Sequence, residues 1–272
     1  MPRIVLVLAA VTTCVAALLL HYRRLLWPDP RGAHVTPFAL GSRLLHRTLH
    51  EIVVAPRGGA GGRPVLVLLH GRNGRPADFL NDQWYKELAA LGPRAPGLVL
   101  VDGGDHSYFH DRADGPWGRY VLEEAIPAGI ARLRGDRTRV AIGGISMGGF
   151  GALDLALEHP GRFCAVGGHS AALWRTGAET PAGAFDDEGD FSRHDVLHLA
   201  AARRRPLGRA RVWLDAGRDD PFFSADRELA SILRARGQPV QFHSGRGGHE
   251  HGYWWPREPR YLDFYSAALA AC

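Results

Sequence analysis

The chain has 272 residues, 46% of them hydrophobic, which suffices for one α/β domain with a sizeable buried core. Its formal net charge of +5 comes from arginines dispersed along the sequence and not from a basic block interleaved with aromatics, so nucleic-acid binding is excluded as the main function. Three cysteines, Cys14, Cys164 and Cys272, form no CxxC pair and no spacing suited to a zinc site or a disulfide framework; a bridge between Cys164 and Cys272 does not follow from the sequence.

Residues 4–20 (IVLVLAAVTTCVAALLL) carry no charge and are flanked by Arg3 and by Arg23 and Arg24. About 17 apolar residues lie at the short edge of what crosses a hydrocarbon core of ~30 Å. Val15-Ala16-Ala17 supplies the small residues that a signal-peptide cleavage site requires. Residues 1–24 are therefore expected to be a signal peptide or a membrane anchor. Either reading predicts export, with the domain released or tethered to the membrane through residues 4–20. Residues 25–43 read as a linker and residues 44–272 as the folded domain.

Within that domain, Leu44 to Pro56 reads as strand material, and the glycine-rich turn Arg57 to Gly62 leads into Pro64 to Leu69, an apolar run suited to a strand buried on both faces of a parallel sheet. Ala77 to Leu91 has helical spacing, Gly97 to Val101 is a second buried strand, and Leu122 to Leu133 is again helical. Arg139 to Ile142 forms a strand that runs straight into Gly143-Gly144-Ile145-Ser146-Met147-Gly148-Gly149, followed by a helix over Phe150 to Glu158 that Pro160-Gly161 ends. Cys164 to Val166 and Val212 to Leu214 are short strands, Ser224 to Arg236 is a helix, and Val240 to Phe242 is the last strand. This alternation predicts a doubly wound, mostly parallel sheet with right-handed crossovers and helices on both faces. Residues 173–206, rich in Gly, Asp and Arg, read as a cap-like insertion over the C-terminal strand ends, where ligands bind in open α/β sheets.

Gly144-Ile145-Ser146-Met147-Gly148 matches G-x-S-x-G in the strand-turn-helix context that a nucleophile elbow of the α/β-hydrolase fold requires. The sharp turn holds the serine in a strained conformation, and glycines flank it because a Cβ there would collide with neighbouring elements. A phosphate-binding loop is the competing reading, but it would need a lysine that this stretch lacks. Acyl transfer also needs two fixed N–H donors for the oxyanion, each worth roughly 3 kcal/mol. The amide of Met147 is the first candidate; that of Arg72, in the loop Leu69 to Gly74, is the second, because Gly71 lets the chain turn its amides inward. His70 reads as a brace for that loop.

The acid is expected after a strand downstream of the serine. Asp215 to Phe222 supplies it, with Asp220 preferred over Asp219 and with Asp215 structural. The base belongs in Gly247 to Gly252: His249 is the first choice and His251 the alternative. A metal site on His249 and His251 would need a further ligand that cannot be placed, so no metal and no cofactor are expected. His106 and His110 read as residues of the pocket rim.

Leu69-His70-Gly71, the run Gly144 to Leu153, Asp215 to Phe222 and Gly248 to Trp254 together resemble the putative esterase family, which includes the esterase D type S-formylglutathione hydrolases and the secreted mycolyltransferases. The resemblance covers most of the chain from about Leu44 onward, and Ser146-Met147-Gly148-Gly149-Phe150-Gly151-Ala152-Leu153 is its most specific piece. It implies an α/β-hydrolase with Asp220 and His249 completing the triad and the Arg72 amide in the oxyanion hole. The loop reads His-Gly-Arg-Asn-Gly, unlike that of either subgroup, and His70 stands where a mycolyltransferase carries an acidic residue. What remains is an exported carboxylic-ester hydrolase acting on a small-molecule ester. The alternatives are an acyltransferase that uses an alcohol or sugar acceptor, and an inactive hydrolase-fold binding protein.

Overall fold

The computed structural model describes residues 28–272; the expected signal or anchor segment lies outside the described residues. Among the described residues no helix is long and apolar enough to cross a membrane. Eight strands form the main sheet: β1 (His34–Ser42), β2 (Arg47–Ala55), β3 (Val65–Leu69), β4 (Gly97–Val101), β5 (Val140–Ile145), β6 (Ala165–His169), β7 (Arg211–Gly217) and β8 (Val240–Gly245). Their spatial order is β1-β2-β4-β3-β5-β6-β7-β8. Strand β2 pairs antiparallel with both β1 and β4, and every pair from β4 to β8 is parallel.

Strand β1 corrects the reading of residues 25–43 as a linker. It is an edge strand, mostly open to solvent, with Pro37 in its middle. Proline lacks the N–H that a central ladder needs but is tolerated at an edge, and a half-exposed strand carries too little apolar periodicity to stand out from a linker.

The central strands β3 and β4 are apolar and buried along their whole length because both faces are covered. In β3, Val65, Val67 and Leu69 enter one core, while Leu66 and Leu68 enter the other. The first core holds α2 (Ile126–Leu133), α3 (Met147–Glu158) and α6 (Phe223–Ala235); the second holds α1 (Asp82–Leu91) and the C-terminal α8 (Glu258–Ala270), which follows the short α7 (His251–Trp254). Asn81 caps α1 by accepting the N–H groups of Gln83 and Trp84.

The C-terminal helix is also held covalently: Cys164 and Cys272 form a disulfide with their Cα atoms 5.8 Å apart. Spacing did not announce this bond. Tertiary packing creates it, because α8 crosses the sheet and delivers the chain end to the start of β6, 108 residues away in sequence.

Residues 173–206 hold two short helices, α4 (Glu188–Arg193) and α5 (Val196–Ala202). Only the first part lies over the strand ends; α5 packs down between α3 and α6. His194, just after α4, donates from Nδ1 to Asp154 on α3 at 2.9 Å and so ties the insertion to the helix that follows Ser146. Parallel β3, β5, β6, β7 and β8 end on one edge of the sheet, and the loops that follow them carry residues 70–74, 146, 170–172, 218–222 and 246–250 to one place.

Candidate active site

Ser146 sits between β5 and α3 with φ 56° and ψ −115°, a left-handed conformation that is costly for a residue with a Cβ. Close packing enforces it. A Cβ on Gly148 would lie 1.9 Å from the Leu69 carbonyl oxygen, and one on Gly144 would lie 2.5 Å from that of Gly148. Only glycine allows the strand, elbow and helix to approach this closely. The Ser146 N–H donates to the His169 carbonyl at 3.0 Å, and the Ser146 carbonyl accepts from Phe150 at 3.0 Å. Phe150 thus makes the first intrahelical bond of α3, leaving the amides of Met147, Gly148 and Gly149 as its first-turn donors beside the serine.

The loop after β3 abuts this elbow, with Gly71 against the Ser146 Cβ. In its turn the Asn73 amide is used by the Asp105 carbonyl at 2.7 Å and the Gly74 amide by the Gly71 carbonyl at 2.9 Å. Arg72 faces the cavity beside Ser146, and among the described residues no protein acceptor takes its N–H. His70 fixes the loop from beneath. Its Nδ1–H donates to the Gly71 carbonyl at 2.8 Å, and its Nε2 accepts from Gly103 at 3.0 Å. Both ring nitrogens are therefore occupied with the ring neutral, and burial pushes its pKa down. The bracing role expected of it fits this geometry.

His249 stands on the loop after β8. The Ser146 hydroxyl donates to its Nε2 at 2.8 Å, and its Nδ1–H donates to Asp220 Oδ2 at 2.9 Å. The bonds themselves select this tautomer. Asp220 is presented by a turn in which its N–H bonds to Gly217 O at 3.1 Å, and its Oδ1 accepts from Phe222 N–H at 2.9 Å. Burial alone would raise the Asp220 carboxyl; the bonds from His249 and the Phe222 amide outweigh it and hold the group below the ordinary aspartate value.

The other candidates lie elsewhere. Asp219 is exposed, and its amide joins the Gly247 carbonyl at 3.1 Å. Asp215 is fully buried and accepts from His169, Trp213 and Tyr261. His251 lines the same cavity but stacks on Trp255, with ring centres 4.9 Å apart.

His106 and His110 do not line the rim, contrary to the sequence expectation. The loop bends through positive φ at Tyr108 (52°) and Phe109 (58°), which leaves His106 exposed away from the cavity, turns Tyr108 toward it and buries His110 against Asp190. Among the described residues, the histidine with metal-ligand neighbours is His194, beside Asp154 and Glu158, and not the pair His249 and His251.

A cavity of about 720 Å³ opens over Ser146. Tyr108, Trp174, Phe222, Trp254 and Trp255 form its walls, and Arg72, Asp78, Glu179 and Glu258 are its acidic and basic members. Burial pushes the Glu258 carboxyl up to about 7, against the opposing effect of a bond from Asn81. Sequence reasoning did not single out the aromatic wall, although Phe222 and Trp254 flank the acid and base motifs. An acidic turn or a histidine loop signals chemistry, whereas an aromatic beside it signals core just as readily.

Comparison with known proteins gives a family and a fold. The family described as Putative esterase matches residues 42–258. The chain is 26% identical over 210 residues to an acetyl esterase of Caldicellulosiruptor saccharolyticus, covering 70% of this chain and 78% of that protein. It is 25% identical over 232 residues to an esterase of Mycobacterium tuberculosis, covering 68% of this chain and spanning about half, 48%, of that protein's length. A solved ferulic acid esterase superposes with a TM-score of 0.77 over 87% of this chain and 99% of that one; at 22% identity this speaks for the α/β-hydrolase fold alone. With a matched region that takes in the elbow, the acid turn and the histidine loop, the chain belongs to the putative esterase family.

Proposed function

We propose that the protein hydrolyses carboxylic esters through an acyl-enzyme on Ser146, with His249 as general base and acid and Asp220 as its orienting carboxylate. The observation that carries this reading is the unbroken hydrogen-bonded line Ser146, His249, Asp220 at the floor of an accessible cavity. Ser146 Oγ attacks the ester carbonyl while its proton passes to His249 Nε2, and Asp220 stabilises the imidazolium that forms. The amides of Met147 and Arg72 receive the charge on the former carbonyl oxygen, each contributing roughly 3 kcal/mol to the transition state. His249 then returns the proton to the leaving alcohol, and an incoming water, activated by the same imidazole, releases the acid.

Product analysis with short-chain nitrophenyl esters, with and without added trehalose or simple alcohols, tests the reading. Free acid as the sole acyl product supports hydrolysis, acyl-sugar or acyl-alcohol product favours the transferase alternative, and no turnover of any ester counts against both.

Export is part of the same proposal. Residues 4–20 have the composition of a signal peptide or anchor, and a Cys164–Cys272 bridge suits an oxidising compartment. Fractionation of producing cells, with N-terminal sequencing of the product, checks it; intact protein confined to the cytosol would contradict it.

A further inference from the structure

Asp154 and Glu158 stand one turn apart on α3, at i and i+4, and so share a face of that helix. His194, just after α4, points its Nδ1 at both, 2.9 Å from Asp154 Oδ2 and 3.6 Å from Glu158 Oε1. One ligand atom from each of the three residues lies within 4.8 Å of the other two. A hydrogen bond from the imidazole explains only part of this arrangement. A ring nitrogen carries one proton, which Asp154 Oδ2 accepts, so Glu158 is drawn in without a bond of its own. Asp154 is also completely buried, and its second oxygen, Oδ1, has no partner among the described residues. A carboxylate oxygen taken out of water and left unbonded is costly unless a donor or a cation meets it. Arginine does not supply that charge: Arg193 pairs with Asp190, and among the described residues none pairs with Asp154 or Glu158.

We propose that Asp154, Glu158 and His194 bind one divalent transition-metal ion of the zinc class, which fastens the insertion of residues 173–206 to α3. One imidazole nitrogen and two carboxylates are a donor set for zinc; magnesium and calcium favour oxygen alone. Metal–ligand bonds of about 2.0–2.2 Å in a tetrahedron set the ligand atoms ~3.4 Å apart, so the observed 2.9 and 3.6 Å need only small movements. On binding, His194 Nδ1 exchanges its proton for the ion, and Nε2 carries the remaining one. That Nε2 faces Asp190 Oδ1 at 3.9 Å, and Asp190 is itself held by the Asp186 amide, His110 and Arg193. A fixed carboxylate thus stands behind the ligating imidazole and orients it. Glu158 is the open side of the site. Its side chain is 38% exposed, against 7% for His194 and 0% for Asp154, so the ion enters past Glu158 and water completes its coordination there.

The ion is structural and takes no part in the chemistry at Ser146. Asp154 is more than two turns along α3 from that serine, roughly 12 Å at about 1.5 Å per residue, too far for the ion to touch an ester bond there. What it secures is the seat of α4 on the helix that begins at the nucleophile. The same insertion carries Trp174 and Glu179 to the cavity.

The test is titration of the full, untagged chain with zinc after dialysis against a chelator, followed by calorimetry and melting temperature, with cobalt(II) absorption as the report on coordination. The expected result is one ion per chain with Kd below about 1 µM, visible bands of tetrahedral cobalt, and a melting temperature raised a few degrees by zinc but not by magnesium. Glu158→Gln is expected to weaken zinc binding by about tenfold or more. Because Glu158 is exposed, the metal-free variant is expected to melt within a few degrees of metal-free wild type, which keeps the test free of a folding defect. His194→Gln is expected to abolish the cobalt bands. Zinc bound at well under one ion per chain, zinc affinity unchanged in Glu158→Gln, or magnesium bound as tightly as zinc overturns the proposal. Fluorophosphonate labelling of Ser146 is expected to continue in the chelated protein; its loss on chelation, restored by zinc, would overturn the purely structural role.

Discussion

Two histidine–aspartate pairs in this fold differ in nearly everything except their bond length. His249 donates to Asp220 at 2.9 Å, and His169 donates to Asp215 at 2.8 Å. The His249 side chain is 26% exposed and its free nitrogen meets a serine hydroxyl; that of His169 is 2% exposed and its Nε2 accepts from the Tyr265 hydroxyl at 3.0 Å. Asp215 has further bonds from Trp213 Nε1 (2.8 Å) and the Tyr261 hydroxyl (2.7 Å), and the His169 ring stacks on Tyr261 at 3.6 Å. The pairing alone therefore does not make a catalytic base. What makes one is a nitrogen left facing a nucleophile and a cavity, whereas a pair with every valence spent inside the core is a brace. The brace is not idle, since the His169 carbonyl receives the Ser146 N–H and the Asp215 carbonyl receives that of Ser170.

The contrast predicts a split between activity and stability. Ser146→Ala and Asp220→Asn are expected to lower kcat by about 10⁴-fold or more while leaving the melting temperature nearly unchanged, as measured by ester turnover and calorimetry. A loss below tenfold in either would break the distinction. Removing the disulfide with Cys272→Ser frees the end of α8, which carries Tyr261 and Tyr265 to the buried pair. Because the bond closes a 108-residue loop, chemical denaturation is expected to report a loss of about 2–5 kcal/mol, with turnover per folded molecule retained. His169→Gln leaves buried partners unsatisfied and is expected to cost about 1–3 kcal/mol with kcat within about tenfold of wild type. A kcat loss matching that of His249→Ala, in protein of normal stability, would make the inner pair part of the chemistry.

The smallest effect sharpens the comparison from the carboxylate side. Glu51 is buried with no histidine; it accepts from the Tyr120 hydroxyl and, at 3.0 Å, from the Asp102 amide, yet burial dominates and pushes its carboxyl up to about 8. The folded state therefore holds a proton that the unfolded chain releases near its ordinary value of about 4.3. Between those limits stability falls as pH rises, the reverse of a carboxylate held low by its partners, such as Asp220. Glu51→Gln is expected to flatten that slope and to raise the melting temperature by a few degrees at pH 8 relative to pH 5. An unchanged slope in the variant would show that the decline lies elsewhere.

Much of the site was readable in the sequence because each part of it is a local backbone device. The elbow needs glycines at fixed offsets around Ser146, the acid turn needs Gly217 ahead of Asp220, and the histidine loop needs Gly247 at its positive φ. What was not legible depends on how distant segments meet. The exposed edge strand β1 lacks periodicity, the Cys164–Cys272 bond exists only because α8 crosses the sheet, and the inward turn of His110 follows from two left-handed residues that no residue type announces.

The central claim is that Ser146 is the one hydroxyl this fold activates, and mass spectrometry of fluorophosphonate-labelled protein tests it most directly. The account predicts a single adduct on the peptide containing Ser146, abolished in Ser146→Ala and in His249→Ala. An adduct on another serine, or undiminished labelling in Ser146→Ala, would contradict it.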